Sequence, residues 1–430
     1  MLSRREFLQA SSVAAAGALA DPEVLAAEPP QQAGDLPPSI AALQPMRDGV
    51  LPITVAERRA RVERARTLMR AQGFDALLLT GGTSLVYYTN MRWGLSERML
   101  ALVIPISGRP FVVCPAFEEE RAREQVADGP LQGDGTEFLT WQEDESPYAL
   151  VASGLRARGQ AGGRLGIEET VRHVFTDGIA QAAPALTLAS GTPVTAGCRG
   201  VKDAHELALM RHASMVTLKA YEATYRALRD GMTQGEVSGL IATAHDRLGF
   251  GGGASVQVGQ YSALPHGSRT PQVIREGTIV LVDGGCAVEG YRSDISRTFV
   301  LGRPTDKMKQ VFALEFAAQT AALHAAKPGV PCEAVDAAAR KVIVDGGYGP
   351  DYTYFTHRVG HGIGMDGHEW PYLVRGNTLP LAPGMTFSDE PGIYIPGEFG
   401  VRLEDDMVIT PDGAELLTPQ SPSLEEPFGT

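Results

Sequence analysis

The residues in this sequence best suited to chemistry are four carboxylates, and their spacing is that of two β-hairpins. The first hairpin runs from Thr278 through Asp283 to a natural two-residue turn at Glu289-Gly290 and returns through Asp294 to Val300. That register places Asp283 opposite Ser296, with Asp294 two residues away on the same face. Diagonal neighbours of this kind have Cα atoms about 7–8 Å apart. The second hairpin runs from Thr386 through Glu390, turns in a loop centred near Glu398, and returns from Val401 through Glu404 to Val408. Its register predicts Glu404 opposite Gly392, with Glu390 again two positions off on the same face. Two pairs at one offset point to a duplicated design. Asp283 follows the apolar run Thr278–Val282, where burying an unpaired carboxylate is costly. Four carboxylates in one pocket repel unless cations neutralise them, and divalent metal is the simplest way to do so.

Between the hairpins lies a glycine-rich segment with His357, His361 and His368. Glycines at 360, 362, 364 and 367 argue against a helix, so the one-turn spacing of His357 and His361 is not that of a zinc-protease helix, and no H-E-x-x-H occurs. A glycine-rich turn that brings imidazoles close to backbone suits a ligand or substrate wall. Gly249–Gly253 lacks the Lys-Ser/Thr of a phosphate-binding loop and reads as an approach to the strand Ala254–Gly259. Cys114, Cys198, Cys286 and Cys332 are too irregularly spaced for a disulfide framework or a zinc ribbon, and Cys286 reads as packing.

The elements that must position these residues belong to a chain of 430 residues, long enough for two or three domains. It is 43% hydrophobic and 21% charged, an ordinary globular composition. A net charge of −13 argues against nucleic acid or anionic lipid as the main partner. Beyond the N-terminus no segment could span a bilayer, so no stable membrane insertion is expected. Helical periodicity over Thr54–Arg70 is followed by short apolar strands at Asp75–Thr80, Met99–Pro105 and Pro110–Cys114, a helix from near Pro115 and a strand–helix unit from Gly166. This alternation predicts an α/β domain over 53–197. From 198 to 430, helices at Asp203–Leu228, Gln234–Leu248 and Lys307–Ala326 interleave with the hairpins and predict an α+β domain. Asp203 reads as the N-cap of the first of these helices and Gly231 as its stop.

At the N-terminus, Ser3-Arg4-Arg5-Glu6-Phe7-Leu8 precedes a weakly apolar run to Ala20 and resembles a twin-arginine export signal. Residues 1–27 are assigned to it, with cleavage at Ala18-Leu19-Ala20 or near Ala26 or Ala27. Residues 28–52, rich in proline, read as a linker. The resemblance implies a periplasmic or secreted protein that is folded, and loaded with any metal, before export.

The ordered set of Asp283, Asp294, His361 in Gly-His-Gly-Ile-Gly, Glu390 in Asp-Glu-Pro-Gly and Glu404 in Arg-Leu-Glu-Asp resembles the pita-bread metallopeptidase family, in its creatinase, prolidase and aminopeptidase P branch. Phe74–Thr80 with Tyr87–Asn90 is similar to that branch's N-terminal domain, which methionine aminopeptidases lack. The resemblance implies a pita-bread catalytic domain holding two divalent metal ions, Mn²⁺ first, with Fe²⁺, Co²⁺ or Zn²⁺ as alternatives. It implies that Asp283 chelates one ion, that Asp294 and Glu404 bridge both, and that His361 and Glu390 complete the second site. A metal-bridging hydroxide would attack the peptide bond while Glu390 shuttles the proton. By the same resemblance His266 and His368 are catalytic and substrate-binding, and His357 and Arg402 are substrate-binding. The implied activity is cleavage of Xaa-Pro bonds, as an aminopeptidase or a dipeptidase, by a homodimer or homotetramer. Two alternatives stand beside it: a metal-dependent C–N hydrolase of a small non-peptide metabolite, and a non-catalytic binding module. The Tyr87–Glu97 stretch, with Trp93, is the candidate outer wall of the pocket.

Overall fold

The computed structural model describes residues 36–127, 129–132 and 136–429. The expected export signal at 1–27 lies outside the described residues. The linker expectation for 28–52 changes in its described part. Pro38–Ala41 form one helical turn, Ile40 and Leu43 are buried, and Met46 N–H donates to the Leu248 carbonyl at 2.8 Å. Two apolar side chains in a proline-rich segment are enough to fasten it onto the catalytic half.

The first part begins with α1 (Val55–Gln72), capped by Thr54 and Glu57 in a reciprocal capping box and closed by Gly73 in the left-handed region. A six-stranded sheet follows, ordered β4 (Glu137–Trp141), β3 (Phe111–Pro115), β2 (Ala101–Pro105), β1 (Ala76–Thr80), β5 (Arg164–Ile167), β6 (Thr187–Ser190). Strands β1, β2 and β3 pair antiparallel, while β3–β4, β1–β5 and β5–β6 pair parallel. The fully buried runs of β1, β2 and β3 fit a sheet covered on both faces. Helices α2 (Thr83–Thr89), α3 (Glu119–Ala127), α4 (Pro147–Arg156) and α5 (His173–Ala182) connect the strands. Helix α6 (Thr192–Arg199) runs through residues 197 and 198, so the chain passes into the second part after Gly200.

The second part opens with α7 (Ala204–Tyr225), capped as expected by Asp203, whose carboxylate accepts from the His205 and Glu206 N–H groups. It ends at Tyr225, short of Leu228; Gly231 takes its positive φ of 90° beyond the helix end. Helix α8 (Gln234–Leu248) matches its expected bounds, and α9 (Asp306–Ala325) lies one residue upstream of them. Helix α10 (Cys332–Asp345), which the sequence reading did not anticipate, packs on α9. Strands β7 (Gly252–Val258), β8 (Ile279–Val288), β9 (Tyr291–Arg292) and β10 (Ile295–Val300) form one sheet, ordered β10-β8-β7 with β9 paired to β8. A second sheet orders β12 (Glu369–Leu373), β11 (Gly360–Gly362), β13 (Thr386–Asp389), β16 (Asp405–Ile409) and β17 (Ala414–Leu416), beside the β14 (Gly392–Ile395)–β15 (Phe399–Arg402) hairpin.

The first hairpin has the expected register, with Ser296 opposite Asp283 and both turn residues at positive φ. The second is corrected by two positions: Gly392 pairs with Arg402, not with Glu404. Pairing of Ile395 with Phe399 closes the loop on Gly397, at φ 78°, because glycine enters the left-handed region without a Cβ penalty. The same register continues into Asp389–Asp405, so Glu390 and Glu404 face one another directly across the strands.

Buried ion pairs join the two parts. Arg61 on α1 lies 3.2 Å from Glu206 and donates to the Tyr291 hydroxyl at 2.7 Å. Arg199 and Lys202 reach Glu369 at 2.5 and 3.1 Å. Replacing Arg61 by Ala leaves Glu206 without its counter-charge, and we expect a loss of about 3 kcal/mol or more in chemical denaturation.

Candidate metal centre

Each candidate ligand is held by a different local device. Asp283 lies in mid-strand on β8, and Asp294 in the bend before β10, where its N–H donates to Asp406 Oδ2 at 3.1 Å. His361 sits at the centre of β11, squeezed between β12 and β13. A Cβ on the preceding Gly360 would come within 2.0 Å of the Ser388 carbonyl, so the glycines serve strand packing. Glu390 follows β13, and Glu404 bridges β15 and β16 with its N–H on the Ser296 carbonyl at 3.2 Å.

The structure brings all five together. Potential ligand atoms of Asp283, Asp294 and Glu404 lie within 4.8 Å of one another, and so do those of His361, Glu390 and Glu404. Asp294, His361 and His368 make a third such group. His361 Nε2 is 3.1 Å from Glu390 Oε1 and 3.9 Å from Asp294 Oδ2, while its Nδ1 faces the Gly362 carbonyl at 3.1 Å. The Ser296 hydroxyl is a hub the sequence reading passed over. It lies 2.6 Å from Glu404 Oε2 and 3.1 Å from Asp283 Oδ1, and it accepts from Arg402 Nε at 2.9 Å. Its position opposite Asp283 was the available signal.

Against four carboxylates stands one guanidinium, and their titration shows the imbalance. Burial first, then repulsion from Asp283, raises the Asp294 carboxyl to about 7. Burial and the charges of Asp294, Glu390 and Asp283 push Glu404 well above the usual range. Glu390 goes the other way: despite its burial, the His361 hydrogen bond and charge hold it down at about 2. His361 is raised by the same pair against the opposing effect of burial. Oxygen donors this crowded, with one imidazole among them, fit divalent cations better than they fit one another.

The flanking residues divide into two kinds. His266 and His368 are exposed. His368 stacks on His361 with ring centres 3.7 Å apart, and its Nδ1 meets Arg358 Nη2 at 3.2 Å. His357 and Arg402, expected among substrate-binding residues, both make contacts within the protein. His357 Nε2 meets the Tyr394 hydroxyl at 2.7 Å and its Nδ1 the Arg358 carbonyl at 2.8 Å. Arg402 is buried and reaches Asp283 Oδ2 at 2.6 Å, the Pro265 carbonyl at 3.1 Å and the Tyr394 hydroxyl at 3.1 Å. A guanidinium beside so many carboxylates acts as their counter-ion. Trp93, proposed as outer wall, is buried under the Arg121 guanidinium, 4.3 Å from its ring centre. Exposed Leu95 from the same stretch does line a cavity of about 490 Å³ that opens beside His368, Trp370 and Tyr372.

Residues 208–411 match the metallopeptidase family M24, and residues 61–201 match the creatinase/prolidase N-terminal domain. The chain is 34% identical over 378 residues to an Xaa-Pro dipeptidase of Lactobacillus delbrueckii subsp. lactis, covering 85% of this chain and 98% of the relative. It is 38% identical over 348 residues to the probable dipeptidase PepE of Mycobacterium tuberculosis, covering 80% and 89%. Among solved structures it superposes on dipeptidase PepE from Mycobacterium ulcerans with a TM-score of 0.81 and 34% identity, covering 87% of this chain and 99% of that one.

The pKa directions set the pH behaviour of the metal-free protein. Asp294 is raised from the unfolded value near 4 to about 7, so the stability it lends is complete below pH 4 and is lost as pH rises through 7. Metal binding needs the carboxylate free and His361 neutral. We therefore expect thermal stability to fall between about pH 4 and 7 without metal. Mn²⁺ should reverse that trend while releasing protons, as read by titration calorimetry in buffers of different ionisation enthalpy.

Proposed function

The chain belongs to metallopeptidase family M24, and from that premise we propose that it is a dinuclear metal-dependent peptidase acting on Xaa-Pro substrates. The observation that carries the reading is the pair of ligand groups sharing Glu404, with one counter-charge for four carboxylates. Asp283, Asp294 and Glu404 would hold one ion, and His361, Glu390 and Glu404 the other, with Asp294 also within reach of the second. Oxygen-rich donors with a single imidazole favour Mn²⁺ over Fe²⁺, Co²⁺ or Zn²⁺. When bound, such cations polarise the scissile carbonyl and acidify water.

The chain's own side chains supply the rest. Glu390 would take a proton from the attacking water and deliver it to the leaving nitrogen. His368, stacked on His361, presents its second ring nitrogen to the scissile carbonyl or the developing oxyanion. His266 stands at the rim, where the Pro265 carbonyl is anchored by Arg402. The dipeptidase names of the relatives favour short substrates over long ones. We also infer export by the twin-arginine route, on the strength of the Ser3–Leu8 pattern.

Asp294→Ala and Glu404→Ala should each lose both ions and all hydrolysis, since each carboxylate serves two ligand groups; metal analysis and kinetics check this. His368→Ala should keep its metal while kcat falls by roughly 10²-fold. Equal metal loss in His368→Ala would make it a ligand. Metal-loaded protein that cleaves no peptide from an Xaa-Pro panel, yet hydrolyses a small non-peptide amide, would replace this reading with the metabolite hydrolase.

A further inference from the structure

We propose that a polar stripe on the buried face of α7, formed by Ser214, Thr217 and Tyr221 and locked from behind by His245 on α8, is the positioning device that presents Asp294 to the metal centre. The inference rests on the metal-centre reading above and adds the residues that hold one of its shared ligands in place.

Asp294 stands at a gap in its own hairpin. Strand β9 pairs with β8 as far as Arg292 opposite Ala287, and β10 resumes at Ile295 opposite Gly284. Ser293 and Asp294 fall between the two runs. Ser293 closes on Cys286 twice: its N–H donates to the Cys286 carbonyl at 3.1 Å, and its hydroxyl accepts from the Cys286 N–H at 3.2 Å. Helix α7 holds the rest. Ser214, Thr217 and Tyr221 are spaced three and four residues apart and so share one helix face. The Tyr221 hydroxyl donates to the Ile295 carbonyl at 3.1 Å, and the Thr217 hydroxyl meets that of Ser293 at 2.8 Å. The Ser214 hydroxyl lies 3.3 Å from Asp406 Oδ2, the atom that accepts the Asp294 N–H. The three contacts therefore fall on the residue before Asp294, the residue after it and the partner of its own N–H. All three side chains are buried, where polar groups cost free energy unless their hydrogen bonds are made.

His245 fixes the direction of the central contact. Its ring is fully buried, and burial pushes the imidazole below the usual histidine range, so it is neutral. Nδ1 faces the Ile241 carbonyl at 2.9 Å and therefore carries the proton, which leaves Nε2 as an acceptor. Thr217 donates to Nε2 at 3.3 Å, so its oxygen accepts from the Ser293 hydroxyl, whose oxygen in turn accepts from the Cys286 N–H. Each proton in this chain has one place to go, and the chain sets the Ser293 rotamer beside Asp294. Ser214 and Thr224 on the same helix also donate to carbonyls four residues back, at 2.9 Å each; among the described residues Thr217 does not. Gly252 on β7 makes the room, since a Cβ there would come within 2.5 Å of the imidazole and 2.7 Å of Cys286 Cβ.

The test is Mn²⁺ titration calorimetry on the full chain stripped of metal by a chelator, beside circular dichroism and thermal melting. Thr217→Val, which keeps the side-chain volume and removes the hydroxyl, should stay folded while its Mn²⁺ affinity falls by roughly 10–100-fold, the range for residues that orient metal ligands. Thr217→Ser should recover most of that affinity although it loses a buried methyl. Ser293→Ala, which breaks the chain at its other end, should match the loss in Thr217→Val, and the double variant should add little to it. Val237→Ala, a buried apolar truncation on α8, should lower the melting temperature at wild-type affinity. Wild-type affinity in folded Thr217→Val, or in Ser293→Ala should Thr217→Val not fold, would overturn the assignment and leave the metal-centre reading standing. Equal affinity losses in Thr217→Ser or Val237→Ala would do the same. Wild-type protein that takes up no Mn²⁺ would remove the metal-centre reading itself, and the assignment with it.

Discussion

Mutual repulsion of four carboxylates in one pocket is the constraint around which the second half of this protein is organised. Two unit charges about 4 Å apart repel by about 4 kcal/mol even at an effective dielectric constant of 20. A loosely held cluster would therefore spread apart or stay protonated. Here each acid is fixed by a different piece of backbone, and burial first, then the strain of neighbouring like charges, displaces Asp294 and Glu404 upward. Cations convert that strain into binding affinity, so the scaffold acts as a preorganised ligand set.

The rigidity comes from cross-bracing between the two hairpins. Arg297, fully buried, donates to the Ser296 and Glu404 carbonyls at 3.0 and 2.9 Å and to Asp405 at 2.7 Å. Thr298 exchanges hydrogen bonds with the Arg402 backbone. Ser296 ties one carboxylate from each hairpin to the Arg402 side chain. Behind this layer, Asp389 and Glu315 are buried with no hydrogen-bond partner for their carboxyl oxygens, and burial drives both well above the usual carboxylate range. As neutral acids they add no further charge to the pocket.

The N-terminal part contributes through its seam with the catalytic part. Arg61, Glu206 and Tyr291 form one buried contact, and Thr83, Arg199, Asp366 and Glu369 form another. The second lies immediately beside His368, so the wall of the cleft and the domain seam share residues. Buried ion pairs of this sort fix geometry more than they add stability, since their attraction is largely offset by desolvation.

Much of this was legible in residue order, because the signals are local. A turn at Glu289-Gly290 sets a register by counting, and Asp203 three residues before Glu206 writes its own helix cap. Apolar runs such as Ala76–Thr80 announce buried strands. Where a local rule was applied to the wrong residue, it failed locally: the second hairpin turns on Gly397, since only there is the left-handed backbone free of penalty. The four carboxylates could therefore be grouped from sequence by counting, and the family resemblance added His361 to them. Their neighbours could not. Whether Arg402 serves a substrate or Asp283, and whether Trp93 lines the cleft or the core, depend on contacts between segments far apart in the chain. Those contacts are decided by packing and by competition for charge, which exist only once the tertiary structure has formed.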